Sequence, residues 1–221
     1  MTSNGFRKQT NQLMTHKMKR FAIIAILAAF CVGAHAQEKI YDVKSGKVTM
    51  EMDMMGQAIV QEMYFDDYGA KQATVMDMQG QKMRQITQDG SNIMINDADK
   101  TATRMPAMGG MMGGGRSDIN WLNLDEKTIK KNKIEELGEE VIAGKTCKKY
   151  KYKVMMMGQA MTTTAWIYKG ITLKSSASTD FGDMGQTATK VEENIQVDPA
   201  MFTIPAGVKV QDMDMSMMGG F

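Results

Sequence analysis

Thioether sulfur is the most abundant soft donor in this chain, since 26 of its 221 residues are methionine. Their spacing says more than their number. Met50, Met52 and Met54 alternate with Thr49, Glu51 and Asp53. The run Met54-Met55-Gly56-Gln57-Ala58 recurs as Met156-Met157-Gly158-Gln159-Ala160, with Met161 next in line. Two chemistries fit. Thioethers suit Cu(I), and Met-x-Met on a strand sets two sulfurs about 7 Å apart on one face. Methionine is also flexible and polarizable, so it lines pockets that accept varied apolar ligands. Trp166 and Tyr168 share a face by alternation with Thr164 and could wall such a pocket. The candidate cavity wall is thus Met50, Met52, Met54, Met156, Met161, Trp166 and Tyr168, with ordinary core packing as the alternative use of the same residues.

A second methionine set lies in glycine-rich sequence: Met108, Met111 and Met112 in the stretch 107–117, and Met213, Met215, Met217 and Met218 in the tail 212–221. Glycine denies them a fixed scaffold. They read as a flap over a greasy cavity, as a copper(I) catcher with Asp212 and Asp214, or as a methionine oxidation sink.

Other reactive groups are scarce. The basic stretch Met18-Lys19-Arg20, the apolar run from Phe21 to Gly33 and Ala34-His35-Ala36 read as a signal peptide cleaved between Ala36 and Gln37. Residues 1–17 read as a start-site over-call or an extended basic region. Removing residues 1–36 takes both histidines, His16 and His35, and leaves 22 Lys and Arg against 25 Asp and Glu. A mature chain without imidazole lacks the usual general base and the usual zinc or copper partner. Its net negative charge makes nucleic acid a poor partner. An exported, non-enzymatic protein in the periplasm or outside the cell is the expectation.

One cysteine, Cys147, remains in the mature chain, so no disulfide closes within it. Alternation groups Cys147 with Lys149, Lys151 and Lys153. Positive neighbours would lower its pKa; an inert structural thiol is the other reading. The lysine face itself reads as a solvated side of a sheet, which leaves contact with an anionic membrane surface open.

These residues need strands to position them. Period-two alternation runs through residues 47–55, 58–65, 71–78, 81–88, 92–96 and 100–104, a meander of about six strands. The best helix candidate is Asp118 to Lys131, with Asp118 as its cap. Strands return over 134–154, 161–168, 171–178, 187–197 and 208–210, with turns expected at Gly56-Gln57, Gly80 and Gly185. A mainly β (α+β) antiparallel sheet of about ten to eleven strands results, with one helix and the Gly/Met-rich loop between two β-halves. The expected domain is 37–211, and the tail 212–221 is expected to be flexible. The repeated Met-Gly-Gln unit, with echoes at Met78-Gln79-Gly80-Gln81 and Met184-Gly185-Gln186-Thr187, reads as a duplicated pair of hairpins, or as convergent turn chemistry in a Met-biased chain.

Three segments carry a family likeness. They are Gly138 to Tyr150 with its Gly144-Lys145-Thr146-Cys147, Trp166 to Lys174 with its Gly170-Ile171-Thr172-Leu173-Lys174, and Phe202-Thr203-Ile204-Pro205-Ala206-Gly207. With Tyr64 to Gly69 they resemble the exported domain-of-unknown-function family 4412, similar to the outer-membrane lipoprotein-sorting (LolA/LolB-like) carriers. That resemblance implies a curved half-barrel with an apolar concave side, and a lipid or hydrophobic small molecule as partner. It transfers no catalytic residue. The sequence departs from the carriers in lacking a long amphipathic helix after Gln37 and in its Met-Gly loop and tail.

Overall fold

The computed structural model describes residues 39–213, except 55–56, 79, 89–90, 107–118, 157–158 and 180–181. Twelve strands form a single open, curved sheet. The first six are β1 (Gly46–Met54), β2 (Gln57–Asp66), β3 (Lys71–Met78), β4 (Gln81–Gln88), β5 (Ser91–Asn96) and β6 (Thr101–Pro106). A short helix, α1 (Glu126–Asn132), separates them from β7 (Glu135–Ile142), β8 (Lys145–Met156), β9 (Gln159–Tyr168), β10 (Ile171–Thr179), β11 (Gly182–Glu193) and β12 (Lys209–Asp212). Across the sheet the order is β12-β6-β5-β4-β3-β2-β1-β11-β10-β9-β8-β7. Among the described residues no helix is long and apolar enough to cross a membrane.

The two Met-Gly-Gln hairpins share one register. Met54 pairs with Gln57 and Met50 with Gln61 in the first; Met156 pairs with Gln159 and Tyr152 with Thr163 in the second. Each hairpin continues into a further hairpin, so β1–β4 and β8–β11 lie in tandem, with β1 against β11. The two-residue connections after β7 (Ala143, φ 49°; Gly144, φ 74°) and β9 (Lys169, φ 48°; Gly170, φ 84°) hold both residues left-handed. That is the turn whose twist matches a hairpin.

An N-terminal segment, residues 39–45, ties these units together. Ile40 and Tyr41 donate their amides to Tyr68 O (3.0 and 2.9 Å), and Asp42 donates to Lys169 O (2.9 Å). Ser45 O accepts from Asn194 N at 2.7 Å. Gly170 can be nothing larger, because a Cβ there would collide with Ile40 O. Tyr41 and Val43 then join Val48, Phe65, Cys147, Trp166, Ile171 and Leu173 in the largest core cluster. Complete burial of a side chain such as Phe65 contributes about 1.5–3 kcal/mol.

Two smaller clusters finish the interior. Ala73, Ile86, Ile93, Ile95 and Ala102 pack under Met201, Phe202, Ile204 and Val208 of the C-terminal segment. Tyr150, Ala165 and Ile167 pack under Trp121, Leu124 and Ile134.

Several details differ from the sequence expectation. The sheet has twelve strands, and β12 joins β6 in parallel through Lys209–Asp212, taking in the first residue of the expected tail. Gly185 is no turn; it sits inside β11, paired with Asp53 and Ser176, because the β10–β11 reversal comes between Thr179 and Gly182. Gln57 belongs to β2, where it pairs with Met54, and is not a turn residue as expected. The helix is seven residues, capped by Asp125, which accepts from Thr128 N at 2.6 Å. Trp121 and Leu124 precede it and pack on the sheet instead of forming a helical stripe. Asp118 and the loop 107–117 lie outside the described residues.

Candidate functional site

Cross-strand register turns the methionine alternation into a surface. Directly paired residues on neighbouring strands project from the same face. One row runs Ala188, Met50, Gln61, Met76, Met83, Asn96 across β11, β1, β2, β3, β4 and β5. The next row runs Val48, Met63, Thr74, Gln85, Met94, Thr103 from β1 to β6. Methionine and uncharged hydrogen-bonding side chains therefore interleave from β1 to β5. Met50, Met63, Gln61, Thr74 and Gln85 are buried, whereas Met76, Met83 and Met94 are half-buried. The N-terminal segment closes one end of this surface, where Tyr41 OH approaches Met63 Sδ at 4.0 Å.

The reverse of β3–β6 is the packed side. Alternation sends Ala73, Ile86, Ile93 and Ile95 there, under the C-terminal segment. Arg84 secures that segment: its Nη1 donates to the carbonyls of Ala200 (3.1 Å), Met201 (2.8 Å) and Thr203 (2.9 Å), and Nη2 pairs with Asp97. The methionine rows face the other way: there Val48, Met50 and Met63 join the largest core cluster, and Met76, Met83 and Met94 are half-buried.

Gln61 sits in the middle of the first row. Its Nε2 donates to Gln186 Oε1 at 2.6 Å and lies 3.8 Å from Met50 Sδ. The side chain is fully buried, and its Oε1 has no partner among the described residues. Leaving a buried amide oxygen unpaired costs about 1–3 kcal/mol.

Of the expected wall residues, Met50 and Trp166 are members of the largest core cluster and Tyr168 packs against it. Met52 and Met161 are half-buried. Met161 and Trp166 are five apart on the same strand, so they project to opposite faces and do not share a wall. The side chains of Met54 and Met156 lie outside the described residues, as do Met108, Met111, Met112, Met215, Met217 and Met218. Met213 is half-buried and its amide donates to Arg104 O at 2.9 Å. Among the described residues no group of three or more His, Cys, Asp or Glu is placed to hold a metal ion.

Trp166 is held in place by polar partners. Its indole N–H donates to Glu140 Oε2 at 2.7 Å, and Lys149 and Lys174 stand over the ring at 4.8 and 4.4 Å. The indole bond holds the Glu140 carboxyl below its ordinary value, aided by the two lysines against some desolvation. Tyr168 donates to Glu193 Oε1 at 3.0 Å, and Lys145 and Lys169 also bind Glu193. Burial pushes the Glu193 carboxyl up, but the three donors outweigh it and hold it at about 2. Cys147 is the inert alternative of the two expected: it is fully buried in β8, and burial pushes its thiol up.

Sequence reading finds the β1 methionines but not Gln61, Met63, Thr74, Met76, Met83, Gln85 and Met94. Alternation within each strand is a visible signal for them. The missing part is register, which aligns separate strands into rows.

No family model matches the chain, and no curated protein matches it. Among solved structures, an uncharacterized conserved protein from Thermus thermophilus aligns at a TM-score of 0.52 and 7% identity, over 78% of this chain and 92% of that one. MucB aligns at 0.48 and 13% identity, over 74% of this chain and 58% of its own, so the chain spans less than two thirds of that protein. A LolA superfamily protein from Nitrosomonas europaea aligns at 0.38 and 8% identity, over 74% of this chain and 91% of that one. The Thermus likeness is one of fold alone. The motif resemblance to the domain-of-unknown-function family 4412 has no matching family model behind it.

Proposed function

We propose that this chain is a non-enzymatic exported binding protein that shields a lipid or other hydrophobic ligand against the methionine face of its sheet. In this reading residues 1–36 are a leader, and the protein works in the periplasm or outside the cell. The observation that carries it is the interleaved row Met50, Gln61, Met76 and Met83 across β1–β4, on the sheet face opposite the one that the C-terminal segment covers. Unbranched thioether side chains re-pack around alkyl chains of differing shape at little cost, which suits a carrier better than a rigid aliphatic wall would. Trp166 and Tyr168, pinned by Glu140 and Glu193, stiffen β9 in this reading and are not mobile contacts.

Native mass spectrometry of protein purified from its own host, followed by solvent extraction, tests the proposal. A bound amphiphile at near one per chain is expected. Protein that is reproducibly empty, with nothing in the extract, would remove it. Copper(I) competes as a ligand class only through the loop and tail methionines. Competition against a chromophoric chelator, using wild type and a variant lacking those methionines, separates the two; the carrier reading expects neither protein to withdraw copper.

A further inference from the structure

We infer that the ligand carries a hydrogen-bond donor, a hydroxyl or amide N–H attached to its alkyl chain, and that Gln61 Oε1 accepts it. This deepens the carrier reading and rests on it.

The composition of the wall is the first ground. A surface meant only for hydrocarbon has no use for amides and hydroxyls at buried positions, since each costs free energy unless it is hydrogen-bonded. Gln61, Thr74 and Gln85 nevertheless occupy buried positions on that wall. Thr163 holds the position in the second hairpin that Gln61 holds in the first, and it too is buried. Polar residues therefore recur where the two hairpins correspond.

Gln61 then fixes the polarity of what is missing. Gln186 Oε1 takes up its Nε2, which leaves the amide oxygen over. That oxygen is the buried side-chain polar atom without a partner among the described residues. An acceptor is satisfied by a donor, so an ether, ester carbonyl or halide on the ligand would not serve. Beside Gln61 in the same row, Met76 on β3 is half-buried and offers a thioether suited to the adjoining alkyl chain, while Met50 on β1 backs the position from the core. A donor next to a chain, meeting one amide inside a methionine row, is the geometry of an amphiphile bound by its polar end.

Isothermal titration of the full-length protein with n-decanol and with its isomer methyl nonyl ether tests this. The two have the same atoms and differ in whether the oxygen can donate. Wild type is expected to bind decanol about three- to tenfold more tightly, the fold-change of one net hydrogen bond. Gln61→Met, which keeps the length and removes the acceptor, is expected to bind both about equally. Equal binding of both probes by wild type would overturn the inference and leave the carrier reading standing. A decanol preference that survives Gln61→Met would also overturn it. Binding of neither probe would remove the carrier reading, and the inference with it. The wild-type ratio decides the matter even if the variant does not fold.

Discussion

Lys149 stands over the ring of Trp166 at 4.8 Å, its cross-strand partner in the β8–β9 hairpin. The corresponding pair in the β1–β2 hairpin, Lys47 and Tyr64, does the same at 5.3 Å. A repeated five-residue turn can arise by chance in a methionine-biased chain. A repeated turn that also repeats its register and a cation–aromatic pair at the matching place is better explained by duplication. The copies have diverged in their outer partners. Tyr64 donates to Glu62 on its own strand at 2.7 Å, whereas Trp166 donates to Glu140 on β7.

Glu193 makes stability depend on acid. Its carboxyl is held at about 2 against an ordinary value of 4.5, so the folded state favours the ionised form. The resulting stability, about 3 kcal/mol by linkage, is present above pH 4.5 and is lost as the pH falls toward 2. Glu193→Gln should therefore lower the urea midpoint strongly at pH 7 and scarcely at pH 2. Equal losses at both values would show that the Lys145, Lys169 and Tyr168 contacts contribute nothing through charge.

Gly170 and Gly144 both have positive φ, at 84° and 74°, but different surroundings. A Cβ at Gly144 meets nothing within 4 Å, so Gly144→Ala should cost about 1–2 kcal/mol for the left-handed backbone alone. At Gly170 the same atom meets Ile40 O and the Leu122 side chain, so Gly170→Ala should cost at least about 3 kcal/mol. Chemical denaturation of the two variants compares them directly. Equal costs would mean that the N-terminal segment yields freely.

Arg84 is expected to be irreplaceable by lysine. Three carbonyls of the C-terminal segment converge on one guanidinium nitrogen while a second nitrogen binds Asp97. A single ammonium cannot span that fork. Arg84→Lys and Arg84→Met should both lose about 2–4 kcal/mol and make residues 198–212 the first site of limited proteolysis. Rescue by lysine would argue that charge alone holds the segment.

Cys147 should be silent toward thiol reagents. Burial shields it and pushes its pKa up, and its Sγ donates to Lys145 O at 3.4 Å. Alkylation by iodoacetamide at pH 8 should be slow in native protein and complete within minutes in denaturant. Fast native labelling would show that β7 opens readily.

Local features are legible in the sequence. Met50 and Glu51 differ in burial just as alternation demands, and Gly80 at φ 85° marks the β3–β4 reversal. Features that depend on distant partners are not. Gly185 looks like a turn because glycine usually is one; only its pairing with Asp53 reveals it as mid-strand. Asp118 is the cap expected from the sequence, but the helix starts later and is capped by Asp125, because Trp121 and Leu124 are packed onto Tyr150 and its neighbours before it begins. Met50, Trp166 and Tyr168 are legible as a group through their residue types. The row through Gln61, Met76 and Met83 is not, because a row crosses several strands and is written nowhere in one stretch of chain.

The junction of β1 with β11 has a consequence in time. Thr189 Oγ1 donates to Thr49 O across 140 residues of sequence. β1 is therefore made early and must wait, one edge unpaired, until nearly all of the chain has followed it. Contacts so distant in sequence form slowly, because closing so long a loop comes before any reward from pairing. A chain that crosses a membrane unfolded would emerge with β1 first and its lasting neighbour almost last. During that interval the thioether-rich strand is open to any other strand or greasy surface nearby. Glu51, exposed on β1 and paired in the finished sheet with Thr187, is a charge of the kind that discourages such premature partners.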